Sequence, residues 1–152
     1  MRIRSLLALF AGALAFSAVT VARAAGLEYR SVAVPVAVFY DAPSLSGKKL
    51  YLVREGAPLE VLIQIEGWSK VRDAEGAVAW IERNLLSLKR TVIVLGDQAE
   101  VRQNASDSAP IVFLAAKWLV LDLLEDSPPG WVKVRHRDGA GGFVRIGKVW
   151  GL

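Results

Sequence analysis

Apolar and polar residues alternate at short intervals along much of this chain. The alternation is clearest in two stretches, with apolar residues at Leu59, Val61, Ile63 and Ile65 in one and at Leu119, Leu121 and Leu123 in the other. A repeat of two residues is typical of a strand that buries one face and exposes the other. Both stretches are therefore predicted to be half-buried strands.

The segments between such stretches contain residues that favour turns. Glycines at 67, 76, 130 and 139 follow or precede the apolar runs, and Pro35 interrupts a β-rich run over residues 32–40. A proline inside a strand indicates a bulge or an edge position. No long amphipathic helix is evident, and only residues 82–86 suggest a single helical turn. Short strands at this spacing predict an all-β protein built from small barrels.

The chain also repeats itself. Residues 67–72 read Gly-Trp-Ser-Lys-Val-Arg, and residues 130–135 read Gly-Trp-Val-Lys-Val-Arg, 63 positions later. Seven of the fifteen positions from Gly67 to Ile81 are identical to their partners. A repeat of this length predicts two copies of one structural unit. We expect the first barrel at residues 25–88 and the second at residues 89–152.

The N-terminal segment differs from the rest. Two arginines lie among the first four residues, and residues 5–22 carry no charge and are mainly apolar. Ala22-Arg23-Ala24 then offers small residues at both positions of an A-x-A cleavage site, which completes the signal-peptide pattern. We expect residues 1–24 to be a signal peptide cleaved after Ala24 and the product to be periplasmic, with membrane contact only through that peptide. An uncleaved anchor is the alternative, because the apolar stretch is close to the shortest that spans a bilayer.

Composition removes several classes of function. Beyond residue 24 the chain carries 16 basic and 15 acidic residues, so its charge does not favour binding to nucleic acid. It has no cysteine and one histidine, which excludes disulfides, thiolate zinc sites and histidine clusters. Nucleophile-elbow, phosphate-loop and dinucleotide motifs are also absent. The sequence therefore predicts neither an enzyme nor a bound cofactor or metal.

The repeated motif resembles the distal hairpin of bacterial SH3-like domains. Residues 37–44, Ala-Val-Phe-Tyr-Asp-Ala-Pro-Ser, stand where that family has its N-V-R-x-G-P-S strand and loop, although Tyr40 replaces the usual arginine. The resemblance covers residues 29–152, and two copies after a signal peptide resemble the exported tandem SH3-like proteins of proteobacteria. It implies two SH3-like barrels and a binding or scaffolding role in the cell envelope, with no defined reaction.

Aromatic residues near the turns are the candidates for ligand contact. The candidate site residues are Tyr40, Trp68, Arg72 and Trp80 in the first copy and Trp131 and Phe143 in the second. They could form a stacking surface for a peptide or glycan. The same rings could instead pack the barrels, which is the favoured interpretation of Trp68 and Trp131. The expected ligand is a cell-wall glycopeptide or peptide segment; the alternative is a structural subunit that binds another envelope protein.

The segment between the copies is expected to be buried. Residues 85–90 contain three leucines and no glycine or proline, unlike a flexible linker. A barrel of about sixty residues is only marginally stable alone, so it needs a further source of burial. We therefore expect Leu85, Leu86 and Leu88 to lie between the barrels. Trp118 is expected to pack in a strand, and Trp150 to cover the open end of the second barrel.

Overall fold

The computed structural model describes residues 26–124 and 127–152, so the expected signal peptide lies outside the described residues. The first half contains β1 (Glu28–Val32), β2 (Val36–Tyr40), β3 (Lys49–Arg54), β4 (Pro58–Ile65), β5 (Trp68–Arg72), β6 (Val78–Glu82) and β7 (Leu86–Ser87). The second contains β8 (Thr91–Val94), β9 (Gln98–Arg102), β10 (Ile111–Ala116), β11 (Val120–Leu123), β12 (Trp131–Arg135), β13 (Gly141–Arg145) and β14 (Val149–Trp150). A 3₁₀ turn precedes the last strand of each half, at Arg83–Leu85 and Ile146–Lys148. The all-β prediction is confirmed, as is the expected helical turn.

Each half forms one antiparallel sheet with the same strand order. The order is β3-β2-β6-β5-β4-β1-β7 in the first sheet and β10-β9-β13-β12-β11-β8-β14 in the second. The first strand of each half pairs with the last, as Val32 does with Leu86 and Val94 with Val149. The beginning and end of each half are therefore neighbours in space.

Each sheet curls around its own hydrophobic core. Phe39, Leu59 and Ile81 are fully buried in the first core, although they come from three different strands. Val101, Leu121 and Val144 have the same role in the second. The first barrel is defined here as residues 28–87 and the second as residues 91–150. Among the described residues, no helix is long and apolar enough to span a membrane.

The alternation along β4 is interrupted by a bulge. Its pairing with β5 shifts between Val61 and Ile63, so the residues beyond the shift no longer face the core. Leu59 is fully buried, whereas Ile63 and Ile65 are exposed. The prediction of one buried face holds only before the bulge, because the extra residue breaks the alternation and Ile63, Gln64 and Ile65 beyond it are all exposed.

The two barrels contact each other through residues of β1, β8 and β14. The rings of Tyr29 and Trp150 meet edge to face, with centroids 5.2 Å apart. The Thr91 hydroxyl, in β8, donates a hydrogen bond to the Gly56 carbonyl at 2.7 Å. Gly151 has a φ of 115°, and a Cβ there would lie 3.0 Å from the Cβ of Pro58 in the first barrel. A larger residue at 151 would therefore be strained by the positive φ, and its Cβ would lie too close to the Thr91 carbonyl oxygen, at 2.7 Å, as well as to Pro58.

Residues 88–90, called the linker here, are held by polar contacts rather than by leucines. The Ser31 hydroxyl donates to the Lys89 carbonyl at 2.7 Å, and the Arg90 guanidinium donates to the Gly151 carbonyl at 2.9 Å. Leu85 and Leu86 pack against the first core, and Leu88 is 75% exposed. The expectation that these leucines fill the interface is wrong, because β7 pairs with β1 and keeps its side chains within the first barrel.

Two tryptophans also differ from expectation. The Trp150 ring meets the Tyr29 ring of the first barrel edge to face, a contact between the barrels that the sequence did not predict. Trp118 lies in the turn before β11, is 42% exposed and has a φ of 66°. The corresponding turn of the first barrel has Gly56, with a φ of 79°. The turn requires a left-handed residue, and this conformation directs the Trp118 ring outward instead of into a strand.

Candidate functional site

The outer face of β2, β6 and β5 carries three aromatic residues of the first barrel, Tyr40, Trp68 and Trp80. Tyr40 pairs with Trp80 across β2 and β6, and Trp80 pairs with Lys70 across β6 and β5. The Lys70 ammonium lies 5.8 Å from the centre of the Trp80 ring, within reach of a cation–π contact. Trp68 lies two residues before Lys70 on β5, and its ring meets the Tyr40 ring edge to face, with centroids 5.5 Å apart. The sheet thus brings three of the predicted site residues together.

These three rings differ in accessibility. Tyr40 is only 6% exposed, whereas Trp68 and Trp80 are half-buried and present part of their surface to solvent. Tyr40 therefore supports the ring of Trp68 from beneath, and the two tryptophans are the accessible members of the group.

An open groove of about 660 Å³ lies beside Trp68. Its lining consists of Pro43, Ser44, Leu45, Gly67, Trp68, Glu82, Arg83 and Asn84. One wall is the loop after β2 and the other is the end of β6 with its 3₁₀ turn. The groove, which we call the first groove, offers an indole, an apolar wall, a carboxylate and a guanidinium to a ligand.

The loop wall of the first groove is fixed by local hydrogen bonds. An Asp41 carboxylate oxygen accepts the Lys48 amide at 2.8 Å, which closes the loop at its base. The hydroxyls of Ser44 and Ser46 lie 2.7 Å apart. This Asp and Ser chemistry is typical of turns, and it leaves the Leu45 side chain pointing into solvent at 65% exposure.

The corresponding region of the second barrel is covered. The Arg145 guanidinium carbon lies 4.2 Å from the centre of the Trp131 ring. The Arg145 Nε donates to Asp107 at 3.2 Å, and its Nη2 forms an ion pair with the same carboxylate. That hydrogen bond holds the pKa of Asp107 below its usual value. Trp131 is consequently buried, at 6% exposure, beneath a roof formed by Arg145 and Asp107.

The remaining predicted site residues lie away from the first groove. Phe143 pairs with Arg102 on the outer face of the second barrel, so it occupies the place that Trp80 has in the first. Arg72 forms an ion pair with Glu60, with Nη1 2.9 Å from Oε2. Arg72 shares the outer face of β5 with Trp68, four residues further along the strand, but it does not line the first groove. The structure therefore places Trp68, Trp80 and Tyr40 together, Arg72 further along the same face, and Trp131 and Phe143 in the second barrel.

Sequence reasoning did not identify Leu45, Glu82 or Arg83. These residues carry no motif of their own, and they reach the groove only because the loop and the 3₁₀ turn converge on Trp68. A signal was nevertheless present in the repeat. Glu82 corresponds to Arg145 at the offset of 63, a reversal of charge between otherwise similar hairpins.

A second cleft of about 740 Å³ lies between the barrels. Tyr51, Trp118 and His136 are among its lining residues. The His136 Nδ1 lies 2.9 Å from Asp138, whose pKa is lowered first by a hydrogen bond from the Ala140 amide and then by His136. Burial, followed by a hydrogen bond to Asp73, raises the pKa of Tyr51. Across the described part of the chain, no three His, Cys, Asp or Glu side chains are grouped as a metal site would require.

Comparison with known proteins supports the repeat. The family model described as the bacterial SH3 domain matches residues 33–87 and again residues 96–151. This confirms the resemblance drawn from the repeated motif. A search of curated proteins finds no match.

Solved structures resemble the chain only distantly. NlpC2 from Trichomonas vaginalis is 15% identical with a TM-score of 0.37, over 80% of this chain and 46% of that one. NlpC1 from the same organism is 16% identical with a TM-score of 0.36, over 80% and 44%. An NlpC/P60 family protein from Bacillus cereus is 14% identical with a TM-score of 0.38, over 81% and 56%. The matched region thus spans about half of each of those proteins.

Proposed function

Because the chain belongs to the bacterial SH3 domain family, we propose that it is an exported, non-catalytic binding module. The ligand is a peptide-like component of the cell envelope, and the first groove is the binding site. The observation that carries this proposal is the open groove of about 660 Å³ beside the accessible ring of Trp68.

The shape and chemistry of the first groove suit an extended chain. Trp68 and Leu45 supply apolar surface, while Glu82 and Arg83 supply an acceptor and a donor that fix the orientation of polar groups. A few polar groups set in an apolar concavity are the usual composition of a ligand site. Trp80 continues the apolar surface beyond the groove along the same sheet face.

The envelope location rests on the N-terminal sequence. Residues 1–24 carry the basic start, apolar stretch and A-x-A site of a signal peptide. We expect the N-terminus of the periplasmic product to be Ala25, as determined by N-terminal sequencing. A periplasmic product that begins at Met1 would favour the uncleaved anchor.

Sedimentation with purified cell-wall sacculi tests the ligand class. Residues 25–152 should sediment with sacculi, and Trp80→Ala should weaken the binding by roughly 5- to 30-fold, as loss of an interfacial aromatic anchor does. Phe143→Ala is the matched control, because Phe143 holds the same sheet position in the second barrel, and it should bind normally. Thermal unfolding of both variants verifies that each is folded.

Two outcomes would contradict this proposal. Absence of the chain from the sacculus pellet would exclude a cell-wall ligand, and a single envelope protein captured in its place would support the alternative of a structural subunit. Equal losses in Trp80→Ala and Phe143→Ala would show that the first barrel is not the selective site.

A further inference from the structure

The two barrels hold the loop next to the tryptophan in the same conformation. In residues 42–47 and 104–109, the serine amide (Ser44 or Ser106) donates to the carbonyl two residues earlier, at 2.8 Å in both. The carbonyl of the same serine accepts the amide three residues later, at 3.0 and 3.1 Å. The loops therefore share one backbone arrangement, and the two sites differ mainly in the side chains that they present.

In the second barrel a cation from the chain itself lies on the tryptophan. Arg145 is paired directly opposite Trp131 in the sheet, and its guanidinium covers the ring at 4.2 Å. Asp107, from the middle of the loop, is its counter-ion. The site thus consists of an indole face, a bound cation and a carboxylate.

In the first barrel the same positions lack the cation. Glu82 is paired directly opposite Trp68, where the second barrel has Arg145. Leu45 stands in the loop where the second barrel has Asp107. Within the described residues, no basic side chain is stacked on Trp68, and the space beside it is the first groove. The first barrel thus retains the indole and a carboxylate, but the carboxylate is now on the strand instead of the loop.

We propose that the first groove binds a cationic group of its ligand, an ammonium or a guanidinium, between the Trp68 ring and the Glu82 carboxylate. This inference rests on the proposed function and adds the chemical class of the ligand. In the second barrel the side chain of Arg145 already lies on the Trp131 ring, so the corresponding site is filled by the chain itself. An aromatic face attracts a cation through its quadrupole, and a carboxylate beside it adds a direct ion pair.

The other charge in the first groove is compatible with this ligand. Arg83 lies on the same wall as Glu82, next to it in sequence. A peptide-like ligand that carries a carboxylate near its cation can pair with both residues. The charge pattern therefore suits a ligand with both signs of charge, with the cation toward Trp68.

Titration with two model compounds provides the test. Nα-acetyl-arginine amide carries the cation, and Nα-acetyl-citrulline amide has nearly the same shape without it. The indole N–H signal of Trp68, assigned by NMR with Trp68→Phe, should shift with the arginine compound, with an affinity about five- to tenfold higher than for the citrulline compound. Glu82→Gln should reduce the preference for the arginine compound over the citrulline compound, while the position of the Trp68 ring stays unchanged.

Exchanging the side chains between barrels provides matched controls. Leu45→Asp with Glu82→Arg should reproduce the roof of the second barrel and abolish the Trp68 response. Asp107→Leu with Arg145→Glu should uncover Trp131 and give it a response to the arginine compound. Thermal unfolding establishes that both double variants are folded.

Equal affinity for the arginine and citrulline compounds would overturn this inference. So would an unchanged Trp68 response in the Leu45→Asp, Glu82→Arg protein. Failure of the proposed function gives a different result, because the chain would then not sediment with sacculi even though Trp68 responds to the arginine compound.

Discussion

The hydroxyl of Ser69 lies in the apolar core of the first barrel. The residue is fully buried in the first barrel, and within the described residues its Oγ has no hydrogen-bond partner. The corresponding residue of the second barrel is Val132, which is also buried. An unpaired hydroxyl in an apolar core loses its hydration without compensation.

Replacing Ser69 by alanine should therefore stabilise the protein. We expect the free energy of unfolding to rise by about 1 kcal/mol, because the unpaired hydroxyl is removed with little change in volume. Urea unfolding of residues 25–152 provides the measurement. Val132→Ser is the reverse change at the matched position and should lower the stability by about 1–3 kcal/mol. A Ser69→Ala protein less stable than the parent would show that the hydroxyl has a partner.

At Trp118 the side chain is exposed, and the unfavourable feature is the backbone conformation. Its φ of 66° lies in the region that glycine occupies at the matched position, Gly56. For a bulky L-residue this conformation costs about 1–2 kcal/mol. The ring recovers some of this through the Lys117 ammonium, 5.1 Å from its centre.

Trp118→Gly should relieve this strain. We expect the stability to rise, by up to about 1 kcal/mol once the lost ring contacts are included. The converse change, Gly56→Ala, should destabilise the first barrel, because it introduces a Cβ at positive φ and 3.3 Å from Val120. Urea midpoints of the two variants should move in opposite directions; a fall in both would mean that the Trp118 ring stabilises the cleft more than its backbone costs.

At the scale of strands and loops, sequence patterning was informative wherever a strand was regular. The repeat predicted the paired hairpins, and Leu59 and Leu121 were correctly expected in the cores. The pattern failed at Ile63 because alternation contains no information about a bulge, which is set by pairing with another strand. Trp118 was misplaced for a related reason. Its apolar character suggested a strand, whereas the matched residue of the first copy, Gly56, indicates that this position belongs to a turn with positive φ.

The candidate site was only partly predictable. Trp68 and Trp80 could be found because aromatic residues recur at fixed places in the repeat. Leu45 and Glu82 come from a loop and a strand end that are 37 positions apart in sequence, and only folding brings them to one groove. The proposed cation site rests on differences between the two copies, such as Glu82 against Arg145, and a search for identical positions in the repeat passes over them.

The roof over Trp131 should respond to acid. The hydrogen bond that Arg145 donates to Asp107 lowers the pKa of that carboxyl group, so the ionised form is favoured in the folded state. The pair is fully formed above the ordinary aspartate pKa of about 3.9 and is lost only as the pH falls through the lowered value. With 5-fluorotryptophan incorporated, the ¹⁹F signal of Trp131 should be constant from neutral pH down to about 4 and shift below it.

Asp107→Asn removes the titrating group and should abolish that shift. A side-chain amide does not ionise in this pH range, so any acid transition that persists in this variant arises elsewhere in the barrel. A Trp131 signal that already moves between about pH 5 and 7, well above the ordinary aspartate range, would mean that another group controls the roof.

At the scale of the whole molecule, two marginal units are joined by a structured interface. Tyr29 and Trp150 are 121 positions apart in the sequence, and their ring centroids are 5.2 Å apart. The Arg90 guanidinium also belongs to this group, with its carbon 5.4 Å from the centre of the Tyr29 ring. The extra burial that each short barrel was expected to need is thus provided by aromatic and polar residues rather than by Leu85, Leu86 and Leu88.

The aromatic pair should couple the stabilities of the barrels. Tyr29→Ala and Trp150→Ala are each expected to lower the free energy of unfolding by about 2–4 kcal/mol. The double variant should lose about 0.5–1.5 kcal/mol less than the sum, which is the contribution of the ring pair itself. Urea unfolding of residues 25–152 gives all three values.

Leu88→Ala is the control for that cycle. Leu88 is exposed, so its removal should change the stability by no more than about 0.5 kcal/mol. Two separate unfolding transitions, with additive effects of Tyr29→Ala and Trp150→Ala, would show that the barrels are independent.

The linker also determines how the molecule meets a protease. Lys89 and Arg90 are consecutive sites for trypsin in a segment between two folded units, a position where nicking is usually fast. Here Ser31 binds the Lys89 carbonyl, and the Arg90 side chain is tied to Gly151. Cleavage after Lys89 or Arg90 requires this segment to leave those contacts, so the rate of cutting there reports how often the linker detaches from the barrels.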